Sequence, residues 1–237
     1  MPAEVRVFAD ADALGEALAD EILERYRRAD GSFLLGCPGG RSLRTTYRAL
    51  ASRRADLSRL VVVMMDEYVG APPDAHYSCT RFAREELAAP LGLRGDQVWL
   101  PDPDDPGAYD ERIERGGGID LFLLASGASD GHVAFLPPGS PRAGRTSVVP
   151  LATTTRRDNL ATFPQFRALD EVPLHGVSVG LATIAGARAA RLVIHGGGKR
   201  EATRRVLALD GFDAAWPASI VHEIEDAEIW VDEEAVG

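Results

Sequence analysis

The chain predicts an α/β fold: one doubly wound, mostly parallel sheet with helices on both faces. Three observations carry that expectation. Short apolar runs alternate with helix-period segments through most of the 237 residues, the pattern that βαβ units produce. Residues 60–65 are continuously apolar, as a strand covered on both faces must be. Four of the apolar runs end abruptly in small, polar or charged loops, and ligands of an open parallel sheet sit at the carboxyl ends of its strands.

The elements follow in order. Residues 5–8 read as a first strand. Asp10 or Asp12 caps a helix running to about Arg28, with Leu14, Leu18, Ile22 and Leu23 at helical spacing. Strands are expected at 32–37, 60–65, 97–100, 119–125, 147–151, 177–181, 191–195 and 228–231. Helices are expected at 45–51, 78–91, 108–115, 199–209 and 218–223. Residues 156–166 are ambiguous, because Pro164 limits any helix there. Residues 101–107 read as a surface loop, and 140–145 as a mobile lid because they are rich in Gly, Pro and Ser. No linker or repeat interrupts the pattern, so residues 1–237 are expected to form a single domain.

Composition narrows the function classes. The chain is 45% hydrophobic and 26% charged, ordinary for a globular protein with a real core. The formal net charge is −10, which argues against nucleic acid or an anionic membrane as partner but leaves room for a small anionic substrate. Two cysteines, Cys37 and Cys79, are too few for a disulfide framework or a thiolate zinc site. Met1 to Arg6 lacks an apolar leader and no run is long enough to span a bilayer, so a cytoplasmic location is expected.

Four loops carry the chemistry. After residues 119–125 comes Ser126-Gly127-Ala128-Ser129-Asp130-Gly131-His132, where an acid two residues from a histidine can fix its tautomer and basicity. Taken alone, Asp130-Gly131 also reads as a turn. Gly36-Cys37-Pro38-Gly39-Gly40-Arg41-Ser42 lies between a strand and a helix, where glycine amides and the helix dipole suit an anion. It is neither a dinucleotide nor a Walker motif, and as a plain turn it needs no ligand. Met65-Asp66-Glu67-Tyr68 ends a buried strand with two acids, of which alternation turns one to a pocket, or which merely cap a helix. Gly196-Gly197-Gly198-Lys199 puts a lysine at a helix start, placed for a phosphate or simply solvated. The set suggests a small anionic substrate and proton transfer, with no metal and no cofactor. Among the other histidines His76 is the nearest to a pocket; His175, His195 and His222 show no ligand-like pattern.

These residues resemble the glucosamine-6-phosphate deaminase/isomerase and 6-phosphogluconolactonase family, over nearly the whole chain. Met65-Asp66-Glu67-Tyr68-Val69-Gly70 is similar to the deaminase D-E-Y-V-G segment, and Asp130-Gly131-His132-Val133-Ala134-Phe135 to its D-G-H-I-A-F segment. Thr155-Arg156 and Asn159 match T-R-x-x-N, Val177 to Gly180 looks like its T-V-G-V strand, and Lys199 falls on its phosphate-binding lysine. The resemblance implies a Rossmann-like fold of the sugar-phosphate isomerase type and a sugar phosphate as substrate. It implies His132 as ring-opening acid–base catalyst with Asp130 orienting it, and Asp66 as the carrier of a proton between C1 and C2. Gly39, Gly40, Arg41, Ser42, Glu67 and Lys199 are the implied substrate-binding residues. A homo-oligomer, trimer or hexamer, also fits the resemblance.

The departures are specific. The deaminase glutamate that supports the histidine is replaced by Pro137, and a phosphate-binding arginine by Ala161, with Arg157 and Arg167 as candidates to compensate. Tyr68 leans toward the deaminases, whereas Pro137 and Gly40-Arg41 lean toward the lactonases. The expected reaction is amino-sugar-phosphate deamination with aldose–ketose isomerisation. Lactone hydrolysis, isomerisation of another anionic sugar and non-catalytic sugar-phosphate sensing are the alternatives.

Overall fold

The computed structural model describes residues 2–237, the side chain of Ala161 excepted. In chain order the elements are β1 (Glu4–Phe8), α1 (Ala11–Arg28), β2 (Phe33–Cys37), α2 (Arg44–Ser52), β3 (Leu60–Met64), β4 (Asp66–Tyr68) and α3 (Cys79–Phe82). Helix α3 runs through a π turn (Ala83–Ala88) into α4 (Ala89–Leu91). Then come β5 (Val98–Trp99), α5 (Pro106–Arg115), β6 (Leu121–Ala125), β7 (Ser147–Pro150), α6 (Thr153–Thr162) and β8 (His175–Ser178). The last are α7 (Leu181–Ala185), β9 (Ala189–Ile194), α8 (Arg200–Leu207), a 3₁₀ stretch (Pro217–Glu223), β10 (Asp226–Asp232) and α9 (Glu233–Val236).

Seven strands form the main sheet in the order β1, β10, β9, β6, β2, β3, β5, with every neighbouring pair parallel. Strand alternation then sorts the core into two layers. Leu35, Cys37, Val62, Met64, Leu121 and Leu123 face α1 and α2, against Leu14, Leu18, Ile22, Tyr47 and Leu50. Leu34, Val63, Phe122, Leu124 and Leu192 face the other way, against Tyr109 and Ile113 of α5 and Ala202 and Val206 of α8. Helices thus cover both faces, and only a continuously apolar strand satisfies both layers.

The chain leaves β2 outward to β3 and β5, then returns through β6 to its other side and continues to β9 and β10. The strand order therefore reverses between β2 and β6, where the loops after two adjacent strands part and leave a crevice. Asp10 caps α1, as read, by accepting from the Ala13 N–H at 2.7 Å.

The structure departs from the expectation of one sheet. β4, β8 and β7 form a separate three-stranded antiparallel sheet, with Asp66 opposite Ser178 and Ser147 opposite Ser178 on its other side. The segments read as strands at 147–151 and 177–181 belong to it, and Leu181 opens α7 instead. This sheet lies over the carboxyl edge of the main one, joined by the Val179 N–H donating to the Met65 carbonyl at 2.9 Å. Helix α6 occupies the ambiguous segment and stops before Pro164, whose ring cannot continue it. Residues 218–223 form 3₁₀ turns rather than an α-helix. The segment read as a lid is tied down: Arg142 pairs with Glu223, Arg145 with Glu114, and the Gly144 carbonyl accepts from Ala182. No helix among the described residues is long and apolar enough to cross a membrane.

Candidate active site

A cavity of about 750 Å³ opens at the carboxyl edge of the main sheet, over the reversal point. The loops after β2, β3, β6 and β9 supply its floor. Helix α3 with its π turn makes one wall (Arg81, Phe82, Glu85, Glu86), and α6 another (Thr155, Asp158, Asn159). Of the residues expected from the sequence, Gly39, Gly40, Arg41, Ser42, Asp66, His132 and Lys199 all line this one cavity.

Asp66 comes from the bend where β3 hands over to β4. Only 6% of it is exposed, and its Oδ1 accepts a hydrogen bond from the Cys79 thiol at 3.3 Å. Burial, which disfavours the charged form, pushes its carboxyl up to about 7. A carboxylate that exchanges its proton near neutral pH is what general-base work needs.

Glu67 does not reach the cavity, which corrects its assignment to substrate binding. Strand alternation turns it the other way, and its carboxylate accepts five hydrogen bonds, from the Tyr68, Cys79 and Thr80 N–H groups and the Ser78 and Thr80 hydroxyls. It anchors the start of α3, and so the wall that carries Cys79. Glu67→Gln puts an amide N–H₂ among those donors, and we expect it to lower the unfolding free energy by about 2–4 kcal/mol in urea titration. An unchanged midpoint would remove this anchoring role.

The Asp130–His132 pair forms as expected, with His132 Nδ1 2.7 Å from Asp130 Oδ1. Asp130 also accepts from the His132 N–H at 3.2 Å and from the Thr154 hydroxyl of α6. Burial works against its charge, but the bonds from His132 and Thr154 outweigh it and hold the carboxyl well below the usual range. Asp130 is therefore ionised and acts from behind the cavity wall, not within it. A carboxylate accepts, so His132 Nδ1 carries a proton and Nε2 is the nitrogen left for a substrate. Gly131 makes the turn: its φ is +65°, and the Trp216 ring lies where a side chain would be.

Pro137, in the place of the deaminase glutamate, lies outside the lining, and its carbonyl accepts from the Ser140 N–H and hydroxyl. The orientation of His132 rests on Asp130 and, through it, on Thr154. Ala161's side chain lies outside the described residues. Arg157 and Arg167 are exposed and do not line the cavity, so neither compensates for an arginine there. Arg156 turns away from the cavity and donates to the Leu169 and Val172 carbonyls.

Lys199 donates from Nζ to the Ser126 carbonyl, and burial lowers its pKa. Arg41 is exposed at the lip of the anion loop. His76 lines the cavity, as read, among Tyr77, Phe163 and Phe166. Two members carry no site signal in the sequence, Cys79 on Asp66 and Thr154 behind Asp130, and His195, read as without a ligand-like pattern, lines the cavity with its Nε2 3.0 Å from the Ser42 carbonyl. Each pairs with a residue at least 13 positions away, a separation at which spacing carries no signal.

Comparison with known proteins places nearly the whole chain in one family and fold. The family model described as glucosamine-6-phosphate isomerases/6-phosphogluconolactonase matches residues 9–230. The chain is similar to a glucosamine-6-phosphate deaminase of Pseudarthrobacter chlorophenolicus, at 36% identity over 98% of this chain and 91% of the relative. It superposes on a monomeric glucosamine-6-phosphate deaminase with a TM-score of 0.90 and 25% identity over 98% of each chain. A 6-phosphogluconolactonase from Trypanosoma cruzi shares the fold, with a TM-score of 0.77 at 19% identity over 98% of this chain and 95% of that one.

Proposed function

The chain belongs to the glucosamine-6-phosphate isomerase/6-phosphogluconolactonase family, and from that premise we propose that it converts glucosamine 6-phosphate and water into fructose 6-phosphate and ammonia. One observation carries the reading. A buried carboxylate that titrates near 7 and a histidine held by its own aspartate meet in one cavity with an arginine and a lysine.

The steps follow from those groups. Arg41, Lys199 and the amides of residues 39–42 hold the phosphate, with Lys199 leaving the Ser126 carbonyl for it. His132, presenting Nε2, relays the proton that the ring oxygen gains as the pyranose opens to the aldehyde. Asp66 takes the C2 proton, the C2–H electron pair forms the C1–C2 double bond of the enol amine while O1 takes up the proton that the substrate's ammonium gives up, and Asp66 returns its proton to C1 as the nitrogen lone pair forms the C2 imine. The resulting C2 imine adds water and loses ammonia, leaving the ketose. Two separate acid–base groups suit these two proton transfers, one at oxygen and one at carbon.

A coupled assay with glucosamine 6-phosphate, following ammonia and fructose 6-phosphate, tests the reading. We expect ammonia release, with solvent deuterium entering C1 of the ketose wherever Asp66 exchanges its proton before returning it. Hydrolysis of 6-phosphogluconolactone without ammonia release would reassign the site to lactone hydrolysis, in which His132 activates water and no carbon-bound proton moves.

A further inference from the structure

We propose that His195 is a positioning residue for the anion loop, clamping Ser42 so that residues 39–42 stay shaped for a phosphate. His195 stands at the carboxyl end of β9, yet its Nε2 reaches the Ser42 carbonyl, 153 residues earlier in the chain, at 3.0 Å. A carbonyl oxygen only accepts, so Nε2 carries the proton. No backbone N–H among the described residues bonds to that carbonyl, because Ser42 precedes the first turn of α2, where the helix ladder begins. The loop has no side-chain cap of its own either: Leu43 holds the cap position of α2 and supplies none.

The clamp is itself anchored. The next residue, Gly196, turns at φ +84° and donates its N–H to both carboxylate oxygens of Asp232 on β10, at 2.9 and 3.0 Å. Four residues on, Lys199 donates to the Ser126 carbonyl after β6. One short segment after β9 therefore ties the loops on both sides of the reversal point, His195 to the β2 loop and Lys199 to the β6 loop. Lys199 must leave its carbonyl to meet a phosphate, whereas His195 need not move. Its contribution is to preorganise the loop rather than to contact the reacting carbons.

This rests on the anion loop holding the substrate's phosphate. The test measures binding of inorganic phosphate by calorimetry and steady-state turnover of glucosamine 6-phosphate, for the full chain and its variants. His195→Leu should raise the Kd for phosphate and the KM by about 5–10-fold, as the loss of one well-placed hydrogen bond does, with kcat within about 2-fold. His195→Gln, whose amide reaches to the place of Nε2, should restore both to within about 3-fold. Should His195→Leu fail to fold, His195→Asn, too short for Ser42, takes its place. Nitrogen-15 NMR should find the neutral His195 ring in its Nε2–H tautomer. Unchanged phosphate affinity in the Leu or Asn variant, a Gln variant as weak as Leu, an equal fall in kcat, or a parent that binds no phosphate would each overturn the inference. A parent that binds phosphate but releases no ammonia, while the Leu variant loses binding, would defeat the deaminase reading and leave the clamp standing.

Discussion

Asp66→Asn should remove at least about 10³-fold of turnover and make the protein harder to unfold at pH 8. The first effect is the loss of the group proposed to carry the proton between C1 and C2. The second follows from linkage. In the unfolded chain the carboxyl titrates near 3.9, and in the folded protein burial pushes it up to about 7. The folded state therefore holds the proton more tightly. The native carboxyl costs nothing below pH 4, and its cost grows as pH rises from 4 to 7 and is constant above. One unit in pKa is about 1.4 kcal/mol, so a rise from near 3.9 to about 7 makes the full cost on the order of 4 kcal/mol. Asn never ionises and avoids it, less whatever it loses by accepting more weakly from Cys79. We expect a gain of about 1–3 kcal/mol at pH 8 that vanishes near pH 4, read from denaturant unfolding at both pH values. A difference that does not change with pH would mean that Asp66 is not a desolvated carboxylate. The parent's kcat/KM should fall on the acid side of about pH 7 for the same reason. Function here is held against stability, as at many active sites.

The elements that were legible in the sequence are those that obey one local rule. The runs that become Leu60–Met64 and Leu121–Ala125 read as strands because a continuous apolar run fits a sheet covered twice, and α1 declares itself by Asp10 and its Leu14, Leu18, Ile22 stripe. The loops that end the four central strands were legible for the same reason, since polarity switches on within one residue. The small antiparallel sheet was not: β4 has three residues and β7 and β8 four each, and the β4–β8 pairing joins positions more than 100 residues apart, as in Asp66 and Ser178. Glu67 shows the limit most clearly. Alternation predicts that one of Asp66 and Glu67 turns from the cavity, and Glu67 does. That it turns into five donors from residues 68–80 depends on the return of the chain through α3, which no spacing encodes.

With Pro137 standing where the resembled deaminase segment has a glutamate, the support of His132 is the Asp130 carboxylate and, behind it, Thr154. The histidine needs a partner that fixes its tautomer and its angle, and Asp130 supplies both through Nδ1. Thr154 then fixes Asp130, so α6, which walls the cavity, also holds the orienting carboxylate. Pro137 is compatible with this arrangement because nothing in it requires ionisation at that position. Orientation therefore rests on Thr154 and on the turn from Ser126 to His132, and within that turn on the space left at Gly127.

Gly127→Ala should therefore cut kcat by about 10²-fold or more while lowering the stability of the fold by only about 1 kcal/mol. A Cβ added at Gly127 would stand 2.2 Å from His132 Nδ1, 2.6 Å from its Cε1 and 2.5 Å from Asp130 Oδ1. These distances are impossible for packed atoms, so something must move. The atoms in the way are the ends of two side chains, which rotate cheaply, and not backbone, which does not. The fold then survives with His132 displaced from Asp130, and a misplaced acid–base group of this kind costs orders of magnitude in rate. The contrasting position is Gly36, where a Cβ would lie 2.2 Å from the Phe122 ring inside the core and the cost falls on stability instead. Measuring kcat and the urea midpoint for both variants separates the two mechanisms. Gly127→Ala with full activity, or with a loss of stability as large as that of Gly36→Ala, would show that the Asp130–His132 geometry is not what the glycine protects. The expected split is a folded Gly127→Ala protein that still binds inorganic phosphate at the anion loop and cannot open the sugar ring.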